Sequence, residues 1–217
     1  MNGKVKKMIK KFSKLITLLP FNNSFSGKVS LINKGGLLIK SKIKSTNRSN
    51  ELIIGKNCVL KRCKFTMIGD NCKIVLDDNI FAFNAEFYIE DSKGTISVGE
   101  GTYFAGKIHI ACTEGSNIRI GKDCLFSSDV IIRNGDSHSI FDQSSCERIN
   151  RAADVIICNH VWIGNRSMIN KGSYISSNSV VGNGSIVTKA FTQENVVIAG
   201  VPAKIIREKV NWNSSRN

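Results

Sequence analysis

Three histidines, His109, His138 and His160, are the only imidazoles in this chain of 217 residues, and one of them has a setting suited to proton transfer. His138 ends the run Arg133-Asn134-Gly135-Asp136-Ser137-His138, which puts a carboxylate two positions before it. An imidazole titrates ordinarily near pH 6.5, so it can accept a proton from a hydroxyl at neutral pH. When it is well positioned, such general-base catalysis contributes roughly 10²- to 10⁴-fold. The three histidines are 29 and 22 residues apart, offering neither a close pair nor equal places in successive repeats, so no metal is expected. The chain has no Gly-x-Ser-x-Gly run, and none of its seven cysteines has a local histidine partner. Both absences weaken a route through a covalent enzyme intermediate. A histidine in a loop can equally be a solvated side chain, so its meaning depends on the scaffold.

That scaffold is written in a period of six. Ile157, Ile163, Ile169, Ile175, Val181 and Val187 are evenly spaced, and Val161, Ser167, Ser173, Ser179 and Ser185 follow the first five by four positions. On an α-helix a step of six rotates each residue by about 240°, so these side chains would face no common core. A short strand with a tight bend returns the same side chain inward at each repeat, and stacked units share a continuous core. The period is also visible at Ile54 and Leu60, at Ile68, Ile74 and Ile80, at Val98, Phe104 and Ile110, and at Ile120, Phe126 and Ile132. Register changes between these runs imply residues inserted at corners, with Asn71, Asn79 and Gly121 as turn formers. Cys58, Cys72 and Cys124 take the place that serine holds later, and read as small inward residues. One imperfect solenoid from about 50 to 190 is expected, with irregular strands over 22–50 capping its first coil. The period leaves the hand open, because general chain physics favours right-handed crossovers.

The largest interruption, residues 133–156, is polar, lacks the period and contains His138. A solenoid can extrude such a loop without disturbing its core. Residues 1–21 place Val5, Met8, Ile9, Phe12, Leu15, Ile16 and Leu19 at helical spacing among six lysines. The pattern predicts a basic amphipathic helix, too short and charged to span a bilayer, that either lies in an anionic leaflet or packs on the protein. Gly200-Val201-Pro202 is expected to start a short last helix carrying Lys204, Arg207 and Lys209, so that 201–217 form a helix and tail. The net charge of +14 points to a polyanionic partner: an anionic membrane, an acidic polysaccharide or a phosphate-rich nucleotide. Nucleic acid is not expected, since zinc-finger, RNP-type and helix-turn-helix patterns are missing. An odd cysteine count without a signal peptide points to a reducing compartment.

The segments RNGDSH, ERIN, DVIICNHVWIGNRSMINKG, VVGNGSIVTK and VIAGVPAKII, within about residues 130 to 212, resemble the hexapeptide-repeat acyltransferases. Among these they are most similar to the O-acetyltransferases that modify polysialic acid capsule, and more broadly to nodulation, galactoside and maltose acetyltransferases. The resemblance implies a left-handed parallel β-helix over 22–200, acetyl-CoA as co-substrate and a homotrimer with active sites between subunits. It implies His138 as general base and Trp162 as part of the acetyl-CoA and acceptor site. Asn165, Asn183 and Thr188 would follow the pantetheine arm, and Lys204 and Arg207 would meet the nucleotide end. Arg133 and Asp136 are assigned to the acceptor, expected to be a bacterial surface polysaccharide, with another sugar, a nucleotide sugar or an antibiotic as alternatives. The implied location is the bacterial cytoplasm, peripheral to the inner membrane face if residues 1–21 bind lipid. Cys158, Asn170 and Ser176 depart from the family's commoner glycine. Two rivals are a carbonic-anhydrase-like zinc hydratase, disfavoured by the histidine spacing, and a non-catalytic scaffold, disfavoured by the polar loop and the intact NHVWIG segment.

Overall fold

The computed structural model describes residues 23–215. The amphipathic segment predicted for 1–21 lies outside them. The chain winds into a prism of three parallel sheets, stacked eight strands deep on the first two faces. The first face runs from Ser24–Gly27 to Ile186–Val187, the second from Ser30–Asn33 to Ala190–Phe191, and the third from Leu37–Ile39 to Val197–Gly200, with one further strand, Ala203–Arg207, at its end. Regular coils thus begin at Ser24, where the sequence period is unreadable.

Coil length explains the difference. Equivalent residues Met168 and Ile186 are 18 apart, three repeats of six. Lys42 and Lys64, like Lys64 and Glu86, are 22 apart, so the extra residues reset the period at each turn. Much of the excess falls between the first and second faces, as between the buried Phe65 and Ile74. At that same corner the coil from Ile131 to Met168 swells to 37 residues by extruding the loop with His138.

Inward side chains alternate with outward ones along every strand, so one apolar column fills the prism. Its middle is aromatic: Phe65 and Phe87 stack at 5.1 Å, Phe87 meets Phe104 edge-on at 5.9 Å, and Phe104 stacks on Phe126 at 4.8 Å. Asn71 and Asn79 turn corners with φ of 56° and 62°, as expected of asparagine. Gly121 serves differently: a Cβ there would lie 2.6 Å from the Cys158 carbonyl carbon in the coil above. Cys58, Cys72 and Cys124 are buried, as the repeat predicts.

The predicted C-terminal helix is a strand. Ala203–Arg207 folds back antiparallel on Val197–Gly200 through the turn at Val201 and Pro202, with Gly200 at φ 106°. Ala203 is buried and Ile205 packs against the core, an alternation of two that a helix could not use. The terminal coil would otherwise expose an unpaired strand edge, and the returning strand covers it on this face.

Candidate active site

The extruded loop is held by buried amides. Asn134 starts it: its Oδ1 accepts from the Thr113 backbone N–H at 2.9 Å and its Nδ2 donates to Ser116 Oγ at 2.8 Å. Asn150, 5% exposed, closes it. Its Nδ2 donates to the His138 carbonyl at 2.7 Å and to Asp136 Oδ2 at 2.9 Å, while its Oδ1 accepts from the Ile140 N–H at 2.7 Å. Lys171, from the next coil, adds an ion pair to Asp136 Oδ2 at 2.6 Å and donates to the Asn150 carbonyl at 3.1 Å. The Lys171 ammonium, followed by the Asn150 amide, holds the Asp136 carboxyl below its ordinary range. Arg148 pairs with Glu114, whose other oxygen accepts from the Ala152 N–H at 3.0 Å.

These contacts fix the backbone on both sides of His138 and leave its ring alone. Among the described residues the imidazole has no hydrogen-bond partner and stands exposed beside a cleft of about 300 Å³ with Glu90, Asp91, Glu114, Ser139 and Arg148. A neighbouring cleft of about 480 Å³ is lined by Arg133, Asp136, Met168, Lys171 and Thr188. The other two histidines are engaged. His109 Nδ1 lies 3.2 Å from Glu86 Oε2, and His160 Nδ1 lies 3.1 Å from Asn178 Oδ1.

The remaining predicted residues lie elsewhere. Trp162 is half-buried on the outer side of the third face, its indole N–H donating to Ser127 Oγ at 3.3 Å. Asn165 and Asn183 sit at the corner between the third and first faces, where Asn183 Oδ1 accepts from the Asn165 N–H at 2.9 Å and Asn165 Nδ2 donates to the Ser128 carbonyl at 2.7 Å. Lys204 and Arg207 are exposed on the final strand. Arg133, Asp136, His138 and Thr188 thus share one corner, and Trp162 lies on the face opposite it. Six extended residues to a side make that separation on the order of 15–20 Å.

Trp212 belongs beside Trp162, and sequence reasoning missed it. Its ring stacks on His160 at 4.3 Å, it donates to the His160 carbonyl at 2.9 Å, and it lies 6.1 Å from the Trp162 ring. It walls a cleft of about 840 Å³ with Tyr103, Asp123 and Leu125. A lone tryptophan in a polar tail was the available signal. The buried thiols are poor nucleophiles: burial pushes Cys58 and Cys112 up to about 11 and Cys63 and Cys124 up to about 12.

The chain is 34% identical over 164 residues to the polysialic acid O-acetyltransferase of Neisseria meningitidis, a match covering 76% of this chain and 75% of that protein. The crystal structure of the polysialic acid O-acetyltransferase OatWY superposes with a TM-score of 0.77 and 32% identity, over 90% of both chains. The chain belongs to the hexapeptide-repeat β-helix acetyltransferases. Its prism is accordingly a left-handed parallel β-helix, and the protein is an acetyltransferase. The structure of NeuO, a polySia-specific acetyltransferase, superposes on this acetyltransferase with a TM-score of 0.64 and 29% identity, over 89% of this chain and 88% of that one. The galactoside O-acetyltransferase of Escherichia coli (strain K12) is 28% identical over 162 residues, 75% of this acetyltransferase and 73% of that protein. No protein-family model matches the chain.

Proposed function

We propose that this acetyltransferase moves an acetyl group from acetyl-CoA to a hydroxyl of a bacterial capsular polysaccharide, with His138 as general base and a sialic-acid-containing polymer as first acceptor. The observation that carries the assignment is the pairing of an unengaged imidazole with a fixed backbone: Asn150 grips the His138 carbonyl while the ring stays free to meet a hydroxyl. His138 takes the hydroxyl proton, the oxygen attacks the thioester carbonyl, and the C–S bond breaks as the tetrahedral adduct collapses. The departing thiolate receives the proton back from the imidazolium. The similarity to the named O-acetyltransferases supports the acceptor class.

An extended pantetheine arm suits the outer side of the third face, past Trp162, Asn165 and Asn183, with Lys204 and Arg207 beyond them for phosphates. Thr188 lies at the other corner, so within one chain it shares surroundings with the acceptor residues Arg133 and Asp136. A site that needs both corners is completed by a second subunit, which motivates a homotrimer. Ile140, Phe141 and Ile149, exposed at 54%, 60% and 64% on the extruded loop, give that loop an apolar surface to bury against a neighbour.

Purified protein is to be incubated with acetyl-CoA and a panel of acidic and neutral glycans, reading thiol release and mass gain together. Acetylated sialic-acid polymer and a loss of about 10²-fold or more in His138→Ala are expected. Acetylation of neutral sugars alone would reject the acceptor, and near-native turnover in the variant would reject the base.

A further inference from the structure

The charge of this chain is confined to one end. Residues 1–73 contain 17 of the 31 Lys and Arg and two of the 17 Asp and Glu, a net +15, while residues 74–217 sum to −1. Within the described coils the basic residues spread over faces and corners: Lys42, Lys44 and Lys64 on the first face, Lys73 on the second, and Lys28, Lys34, Lys40 and Arg48 at the bends. The loop leaves the sixth coil, but His138 lies beside Glu90 and Asp91 of the fourth, three steps of about 4.8 Å from the first, or about 14 Å along the axis. That is more than one Debye length at 0.1 M salt, about 10 Å. The cleft beside His138 is lined instead by Glu90, Asp91 and Glu114. The lysine-rich first coils thus differ in sign from the cleft beside His138.

The same end is apolar at its edge. Phe25 and Ile32, on the first strands of the first and second faces, are 48% and 43% exposed. Phe25, Val29 and Leu31 line an open cleft of about 490 Å³ together with Lys28 and Arg48. Among the described strands these first ones pair on one side only. The residues that precede Asn23 carry six lysines and no acid. A polyanion in water would account for the lysines and not for exposed Phe25 and Ile32. A surface that offers anionic headgroups above hydrocarbon accounts for both.

We propose that the first coils are a docking face for an anionic phospholipid membrane, which holds the prism end-on with the His138 cleft about 14 Å above the first coil. The lysines and Arg48 meet headgroup phosphates, and Phe25 and Ile32 enter the interface.

The full chain is to be sedimented with phosphatidylcholine vesicles with and without phosphatidylglycerol, beside Lys28→Glu/Lys34→Glu/Arg48→Glu and Phe25→Ser. Binding to the anionic vesicles alone, weakened about tenfold or more in the triple variant and also in Phe25→Ser, is expected. Turnover on a short soluble acceptor should stay unchanged, which shows that the variants fold. No binding by the parent chain, or equal binding by parent and triple variant, would overturn the proposal. So would a triple variant that binds vesicles normally but loses affinity for an acidic polymer, since the basic end would then serve the polymer. Vesicle binding needs no turnover, so failure of the acetyl-transfer assignment leaves this test standing.

Discussion

Asn150 is the side chain through which the loop is set. Its amide joins the carbonyl of His138, the carboxylate of Asp136 and the N–H of Ile140; in Asn150→Ala the first and last lose this partner, while Asp136 keeps Lys171. A hydrogen bond of this kind contributes about 0.5–1.5 kcal/mol, so His138 should lose its position before the prism loses stability. We expect kcat to fall about tenfold or more, with KM for acetyl-CoA little changed, because the path proposed for that ligand runs along the third face. Equal loss in both constants would show a general structural role. Asp136 and Asp142 make a pH prediction. Lys171 depresses the first, and the Ser144 hydroxyl foremost brings the second to about 2. A carboxyl lowered by folding stabilises above its unfolded range and loses that contribution as pH falls through the folded value. Pepsin should therefore begin to cut within 134–154 as pH drops from about 4 towards 2, and Lys171→Met should open the loop at higher pH. Cutting that ignores pH in that window would contradict it. His138 and Asp136 were legible from residue type and spacing. Asn150 and Lys171 were not, since they act across 12 and 35 residues through contacts that only the coils create.

At the scale of coils and strands, what can be read depends on whether a coil keeps three sixes. The coils after Ile157 do, and their inward residues were legible one by one. The coils of 22 residues share the same stacking with a reset at each turn, so the period vanished over 22–50 although the strands are regular. Alternation, the better guide there, is spread over strands of three or four residues, too short to stand out. The final segment failed for another reason: Pro202 suits a helix start and also a turn, and the open strand edge decided between them. The core itself is testable at Phe104, fully buried and packed between Phe87 and Phe126. Phe104→Ala should cost about 3–5 kcal/mol in reversible denaturant unfolding. A loss under about 1 kcal/mol would mean that neighbouring coils close over the void, contrary to a rigid column.

For the molecule as a whole, the predicted site residues divide between two parts of the prism that one chain cannot bring together. His138, Asp136 and Arg133 occupy the corner between the first and second faces, and Trp162, with Trp212 beside it, the face opposite. Sequence order hid this separation, because His138 and Trp162 are 24 residues apart in a coil of 37. The repeat showed a solenoid, but not where its loop would point. Complementation tests the consequence directly. His138→Ala and Trp162→Ala, each inactive alone, are to be unfolded together, refolded as mixed oligomers and assayed for acetyl transfer. If one subunit supplies the base and its neighbour the tryptophan, a random one-to-one mixture restores about a quarter of the sites. Recovery near that fraction is the predicted result, and no recovery in oligomers verified to contain both chains would contradict a site shared between subunits.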